Sequence, residues 1–336
     1  MQSVQFADIE NAYHRISSIV QKTPIVQSAL LNTWLGHQIY FKAECLQTTG
    51  AFKIRGASNF IAKLAEEQKL PKQIVANSSG NHAQAVAYAA HHFNIPVTIF
   101  SSKNISAVKA AATKYYGAKL QLFDTRNEAD AAVQEASKNE GTVWIPPFND
   151  LDIIAGQGTV ALEALNQVTH VNALFAPCGG GGLLSGSYIC AKKIDDNIKV
   201  VGVEPLAAND AAESRRQGQI VSLTDTPITM ADGAATPSVG EHTFESIRAL
   251  DKFYEVSETD IAYWTQWLQH LLKLHIEPTC AMTMQGVVNW LQEKQSGKNE
   301  PIPKQHILVL ISGGNISAQN MQNVWQDDHL QKRPSL

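Results

Sequence analysis

Apolar positions in this chain recur with two spacings that take turns. Near the start, Ile9, Tyr13, Ile16, Ile19 and Val20 lie close to helical spacing, which predicts a helix over 8–20 with Asp8 at its N-cap, stopped by Thr23 and Pro24. A short strand over 39–44 comes next, then a turn at Gly50 and a helix over 55–66 that carries Lys53 near its start, and Pro71 breaks the pattern. Brief apolar runs at 74–76, 96–100, 119–123 and 142–145 then alternate with helical patterns at 82–93, 107–116 and 127–138. A second alternating set opens at 153 with AGQGTVALEAL, a helix whose Gly156 and Gly158 permit close packing. It continues through strand 173–176, helix 183–193, strand 199–204, helix 209–216, a loop rich in Thr, Pro and Gly over 224–240, helices 259–273 and 279–293, and strand 306–311. Repeated strand–helix order predicts parallel sheets with helices on both faces and, through right-handed crossovers, strand-end loops gathered along one edge.

The 336 residues are enough for two domains of about 150 residues each, and two domains imply a cleft. The pattern places domain boundaries near residues 72 and 151. A content of 44% hydrophobic and 17% charged residues is that of a globular chain, and no apolar run approaches the roughly 18 residues of a membrane span. The N-terminal MQSVQFADIENAYHRI lacks the parts of a secretory signal, so a cytoplasmic protein with no membrane partner is expected. Cys45, Cys178, Cys190 and Cys280 show no CxxC spacing, and such a compartment keeps them reduced. A net charge of -4 without a basic cluster argues against nucleic acid as a partner.

Three stretches carry candidate chemistry. In TGAFKIRGA, Lys53 stands between Phe52 and Ile54, and burial of those flanks would depress its pKa toward that of a nucleophile. Lysine stems also cover apolar surface routinely, so this feature alone decides little. The run Gly179, Gly180, Gly181, Gly182 follows an apolar strand and opens a helix at Leu183, where free N–H groups hold an anion. Four glycines cost roughly 0.5 to 1 kcal/mol each relative to Ala in regular structure, which argues for a function. The Gly-Lys-Ser/Thr ending of a nucleotide-binding loop is missing, and GGGGLLSG is out of register with GxGxxG. A nicotinamide-binding reading survives because Glu204 ends the next strand about twenty residues on, where a dinucleotide site places its ribose acid.

The third stretch is Ser78-Ser79-Gly80-Asn81-His82, between a strand and a helix, which can grip a small carboxylate or simply cap the helix. Ser312, with Gly313 and Gly314, likewise follows a strand. No zinc spacing is present. Glu204, the Ala208 carbonyl and Asp210 could offer hard oxygens to Mg²⁺ or Ca²⁺ from one strand-end turn, although acidic strand-end turns are usually only solvated.

In order, the segments KAECLQTTGAFKIRGA, SSGNHAQAVA, AGQGTVALE, PCGGGGLLSG, VGVEP, ADG, IEPT and SGGN make this chain resemble, over nearly its whole length, the serine/threonine dehydratase and serine racemase family of fold type II pyridoxal-phosphate enzymes. The resemblance implies a tryptophan synthase β-like α/β fold of two parallel-sheet domains, residues 1–72 with 151–336 as the larger and 73–150 as the smaller, with the active site between them. It implies that Lys53 holds pyridoxal 5'-phosphate as a Schiff base, Phe52 packs on its ring, Asn81 meets its phenolic oxygen, Gly179–Gly182 with Leu183 hold its phosphate, and Ser312 faces its nitrogen. Ser78, Ser79, Asn81 and His82 would bind substrate, with Ser79 matching the second catalytic residue of racemases. Glu204, Ala208 and Asp210 match a divalent-cation site. The implied activity is β-elimination of L-serine or L-threonine to a 2-oxo acid and ammonia, by an enzyme that is commonly a homodimer. Racemisation of serine and dehydration of 3-hydroxyaspartate fit the same chemistry, whereas a noncatalytic binding module would have no use for an intact lysine. ADGAATPSVGEHTF departs from the racemase form of that loop, and the chain ends too soon after SGGN to hold a regulatory module.

Overall fold

In the computed structural model, residues 3–78 and 80–336 are described. Among the described residues, ten strands form two sheets: β1 (Ile25–Val26), β2 (Gln38–Ala43), β3 (Gln73–Asn77), β4 (Val97–Ser102), β5 (Lys119–Phe123), β6 (Thr142–Trp144), β7 (Ala173–Pro177), β8 (Lys199–Pro205), β9 (Lys252–Val256) and β10 (His306–Ile311). One sheet has the order β1-β2-β10-β7-β8-β9 and the other β5-β4-β3-β6. Every pairing is parallel except β1 with β2. The strands of the four-stranded sheet all come from the middle of the chain, between residues 73 and 144.

Parallel strands covered on both faces read as unbroken apolar runs, and β10 shows why. Leu308 and Leu310 enter the core on one face of the six-stranded sheet, while Ile307, Val309 and Ile311 enter the core on the other. A third core lies under the smaller sheet, built from the alanine-rich helix Asn81–His92 and Ile74, Val97 and Ile99 of its strands.

Several expectations are corrected in detail. Asp8 is not the N-cap of the first helix, Phe6–Ile16; it is the third helical residue, and its carboxylate accepts from the Gln5 N–H at 2.8 Å, capping from inside. The helix expected over 279–293 is two, Pro278–Ala281 and Thr283–Gln295, with Met282 between them. Strands β1 and β9 and the helices Ala29–Leu35 and Glu241–Ala249 have no counterpart in the pattern reading.

The helix Lys53–Glu66 is seated by two devices. A Cβ on Gly156 would stand 2.6 Å from the Cα of Gly56, so glycine at both positions lets this helix lie against the helix Leu151–Gln167. Beside that contact lies a buried four-charge cluster. Arg55 donates to Glu44 from Nε and Nη2, both at 2.8 Å, and to Glu163 from Nη2 at 3.0 Å. Lys42 donates to Glu163 at 2.6 Å and to the Thr23 carbonyl at 2.7 Å. Arg55, Lys42 and Glu44 are fully buried, so each charge depends on its partners. Replacing Arg55 by Met would strand Glu44 and leave Glu163 with Lys42 alone, and we expect denaturant unfolding to show a loss of about 3–5 kcal/mol.

Candidate active site

The strand ends of both sheets face a cavity of about 210 Å³. Its construction begins at β2 and β10, parallel neighbours whose C-terminal ends emerge side by side. The chain after each is zipped to the other: the Phe52 N–H donates to the Ser312 carbonyl at 2.9 Å, the Gly314 N–H to the Gly50 carbonyl at 2.9 Å, and Ala51 bridges to Gly313. This brings Lys53 and Ser312, far apart in sequence, to one wall.

Lys53 is the first residue of its helix, and its amine donates to the Pro147 carbonyl at 2.6 Å and lies 5.3 Å from the Phe52 ring centroid. Burial pushes its pKa down to about 8, an effect the Glu277 carboxyl partly opposes. The Ser312 hydroxyl also lines the cavity and is buried without a hydrogen-bond partner. Such an orphan is what a ring nitrogen would satisfy.

Opposite stands the glycine run. Gly181, at φ +92°, is the N-cap of the helix Gly182–Ile194 and gives it no side-chain cap, so the first N–H groups face the cavity mouth unpaired by any side chain. A Cβ on Gly179 would stand 2.9 Å from the Gly233 carbonyl, and one on Gly180 would run into the Phe148 ring. Glycine is therefore demanded by close approach as well as by backbone angle. Leu183 completes this wall. An unpartnered hydroxyl, an amine held near neutrality and an uncapped glycine helix start fit a phosphorylated pyridine aldehyde.

From the smaller sheet come Ser78, Asn81 and His82; Ser79 lies outside the described residues. Ser78 Oγ accepts from the Gly80 N–H at 3.1 Å. His82 Nε2 lies 2.9 Å from the Ile145 carbonyl, which requires a proton there, and burial with the nearby Lys53 charge drives its pKa down to about 3. It is therefore a neutral ring at ordinary pH. Asn81 Nδ2 lies 3.1 Å from each oxygen of Glu277, and its Oδ1 accepts from Asn315 Nδ2 at 2.9 Å.

Five further charged residues line the wall without having been expected from the sequence: Glu277, Asp232, Lys109, Arg126 and Asp130. Glu277 is buried, and desolvation, with the Asp232 charge added, pushes its pKa up to about 7, against Lys109. Its one sequence signal is a carboxylate between Ile276 and Pro278; Lys109 and Arg126 sit on ordinary surface-like helical patterns and carried none.

Glu204, Ala208 and Asp210 lie away from the cavity. Glu204 is buried and accepts from the N–H groups of Ala212 at 2.7 Å and Ala211 at 3.3 Å, so it does not reach the cleft where a ribose would lie. Asp210 Oδ2 is buried without a partner. Burial raises the Glu204 carboxyl well above its ordinary range and Asp210 to about 7. Among the described residues, no group of three or more His, Cys, Asp or Glu side chains comes together as a metal cage, so an ion here would need the Ala208 carbonyl or water. No described helix is long and apolar enough to cross a membrane.

Parallel sheets whose strand ends enclose an amine, an uncapped glycine helix start and an orphan hydroxyl define a cofactor-dependent α/β enzyme class. The chain belongs to the pyridoxal-phosphate dependent enzyme family, whose profile matches residues 16–313. It is 41% identical over 313 residues to the L-threo-3-hydroxyaspartate ammonia-lyase of Saccharomyces cerevisiae, covering 93% of each chain, and 36% identical to the serine racemase of Bos taurus, covering 97% of each. The solved maize serine racemase matches with a TM-score of 0.87 at 34% identity, over 98% of this chain and 99% of that one. The fold type II architecture is thereby shared.

The glycine wall makes a direct prediction. Gly180→Ala would press a methyl group into Phe148, and we expect pyridoxal-phosphate affinity, measured by titration of its visible absorbance, to fall about tenfold or more, equivalent to about 1.4 kcal/mol.

Proposed function

We propose that this chain is a pyridoxal-phosphate-dependent ammonia-lyase acting on L-3-hydroxy-α-amino acids, with L-serine and L-threonine the simplest, and releasing a 2-oxo acid and ammonia. One observation carries the reading: the Lys53 amine, held near neutrality inside the cleft, faces the uncapped glycine entry of a helix. The names of the ammonia-lyase relatives support it.

Lys53 would hold the cofactor, Phe52 would pack on its ring, Asn81 would meet its phenolic oxygen, Gly179–Gly182 and Leu183 its phosphate, and Ser312 its nitrogen. When bound, the cofactor draws electron density from the substrate α-carbon. Lys53 Nζ takes up the α-proton, a role its lowered pKa suits. Ser78 and the N-terminus of the helix Asn81–His92 grip the α-carboxylate, with Ser79 assigned beside them. His82, neutral and with its Nε2–H held by the Ile145 carbonyl, shapes the wall and takes no part in proton transfer. Ser312 would offer the ring nitrogen a neutral hydroxyl, where a carboxylate would keep that nitrogen protonated and the cofactor more strongly electron-withdrawing.

Residues 73–150 act in this reading as a small domain that closes on 1–72 and 151–336 to exclude water. Glu204, the Ala208 carbonyl and Asp210 would hold Mg²⁺ or Ca²⁺, supported by the orphaned Asp210 oxygen and two carboxyls buried without a cation. A homodimer is supported by Val108 and Tyr115, 60% and 85% exposed and seven residues apart on the helix Ala107–Tyr115.

Serine racemisation is a second reading, supported by the racemase relatives and by the presence of Ser79 in the sequence. Dehydration of 3-hydroxyaspartate is favoured by the cations Lys109 and Arg126 on the wall.

Ammonia, oxo-acid and D-enantiomer release from serine, threonine and 3-hydroxyaspartate tests the reaction; no release from any of them overturns it. Lys53→Ala should abolish turnover and the absorbance of bound cofactor. Only the neutral amine is a nucleophile, so cofactor capture by the apoprotein should slow about tenfold per pH unit below a pKa near 8 and level off above it. Added Mg²⁺ or Ca²⁺ should raise the melting temperature of the wild type and not that of Glu204→Gln; an equal rise in both rejects the cation site.

A further inference from the structure

Three cations line the cleft: Lys53, Lys109 and Arg126. Their surroundings separate their roles. Arg126 donates to the Ala235 carbonyl at 3.0 Å, lies 3.9 Å from Asp130 and has a side chain 42% exposed, which places it at the mouth. Lys109 is different. It stands on the helix Ala107–Tyr115, beside the smaller sheet, with its side chain only 8% exposed, and its Nζ lies 3.7 Å from the point where a Cβ on Gly80 would be. Its ammonium therefore sits against the N-terminus of the helix Asn81–His92, where the substrate α-carboxylate is assigned.

The partner of Lys109 comes from across the cleft. Asp232 Oδ2 accepts from Nζ at 2.6 Å, and this carboxylate belongs to a short turn over 232–234 connected to the six-stranded sheet. Its side chain is 42% exposed, so it can rotate into water at little desolvation cost. The lysine cannot escape in the same way. A buried ammonium deprived of its carboxylate pays a penalty unless another anion replaces it. The two carboxylates of a 3-hydroxy dicarboxylic amino acid are joined through only two carbons, so a substrate held by the first at this helix start brings the second within reach of Lys109. A methyl or hydrogen at that position brings no charge to exchange.

Resting on the ammonia-lyase reading above, we propose that Lys109 is the specificity-determining cation of the side-chain subsite, taking the β-carboxylate of a 3-hydroxyaspartate-type substrate in exchange for Asp232. Asp232 then serves as the resident anion that keeps the lysine paired when the site holds a neutral side chain or none. Glu277, which also feels Lys109, is raised toward neutrality by burial and so leaves room for one more negative charge.

The test uses the holoenzyme and its Lys109→Met, Lys109→Arg and Asp232→Asn variants. The first measurement is the ratio of kcat/KM for L-threo-3-hydroxyaspartate to that for L-serine. Loss of a charge-assisted contact should lower this ratio about tenfold or more in Lys109→Met, mainly through KM for the dicarboxylate, with partial rescue in Lys109→Arg. Asp232→Asn, which removes the competing anion, should raise the ratio. A second measurement does not need turnover: the affinity of L-aspartate relative to L-alanine, followed by the shift in cofactor absorbance. Preference for L-aspartate that disappears in Lys109→Met supports the inference even if no hydroxyamino acid is turned over, which would instead defeat the ammonia-lyase reading. A ratio unchanged within about threefold in Lys109→Met, or equal losses on both amino acids, overturns it and makes the Lys109–Asp232 pair a strap between the two halves.

Discussion

Withdrawal of one ammonium group from water organises this molecule. Lys53 would titrate far above neutrality in solvent, and burial at the cleft brings it to about 8. That enclosure exists only because the chain after β2 and the chain after β10 are stitched together by backbone hydrogen bonds. The same stitching sets Ser312 on the wall, so one structural device positions both a reactive amine and a neutral hydroxyl.

The lysine rests on a foundation that takes no part in chemistry. Lys42, Glu44, Arg55 and Glu163 join β2, the helix of Lys53 and the helix Leu151–Gln167, which begins where the chain returns from the smaller sheet. Buried ion clusters of this kind add little net stability over apolar packing, but losing one member leaves its partners buried and uncompensated. Here the cluster ties the helix of Lys53 to β2 and to the helix Leu151–Gln167, and Gly56 against Gly156 lets those two helices approach closely.

Across the cleft the balance of charge is different. Glu277 ties Asn81 of the smaller sheet's helix to the wall, and Asn315, anchored on the Thr49 carbonyl at 2.8 Å, determines which way the Asn81 amide points. Because the Asn315 nitrogen must face a carbonyl, Asn81 presents its oxygen to Asn315 and its nitrogen to Glu277. The Lys109–Asp232 pair is a second crossing, exposed on one side and buried on the other. These polar contacts can be exchanged with a ligand, whereas away from the cleft the smaller sheet is held by apolar packing, with Ile54, Ala57, Ile61 and Ile153 sharing one core with Ile74, Val86 and Ile99.

Periodicity by itself determined the alternation of strands and helices, since buried parallel strands such as β10 and β7 must be apolar on both faces. The edge elements escaped it: β1 has two residues, and β9, KFYEV, is only partly covered, so neither carries a full apolar run. Local chemistry likewise marked Lys53, the glycine run and the strand-end serines, because a glycine helix entry or a lone lysine among apolar neighbours is visible without tertiary contacts. Only the folded chain could decide that Glu204 turns inward to backbone N–H groups, that His82 is a neutral wall residue, and that Glu277, Lys109 and Asp232 face the same space. The reason is that a charge acquires its role from what lies within a few ångströms of it, and those neighbours come from distant parts of the chain.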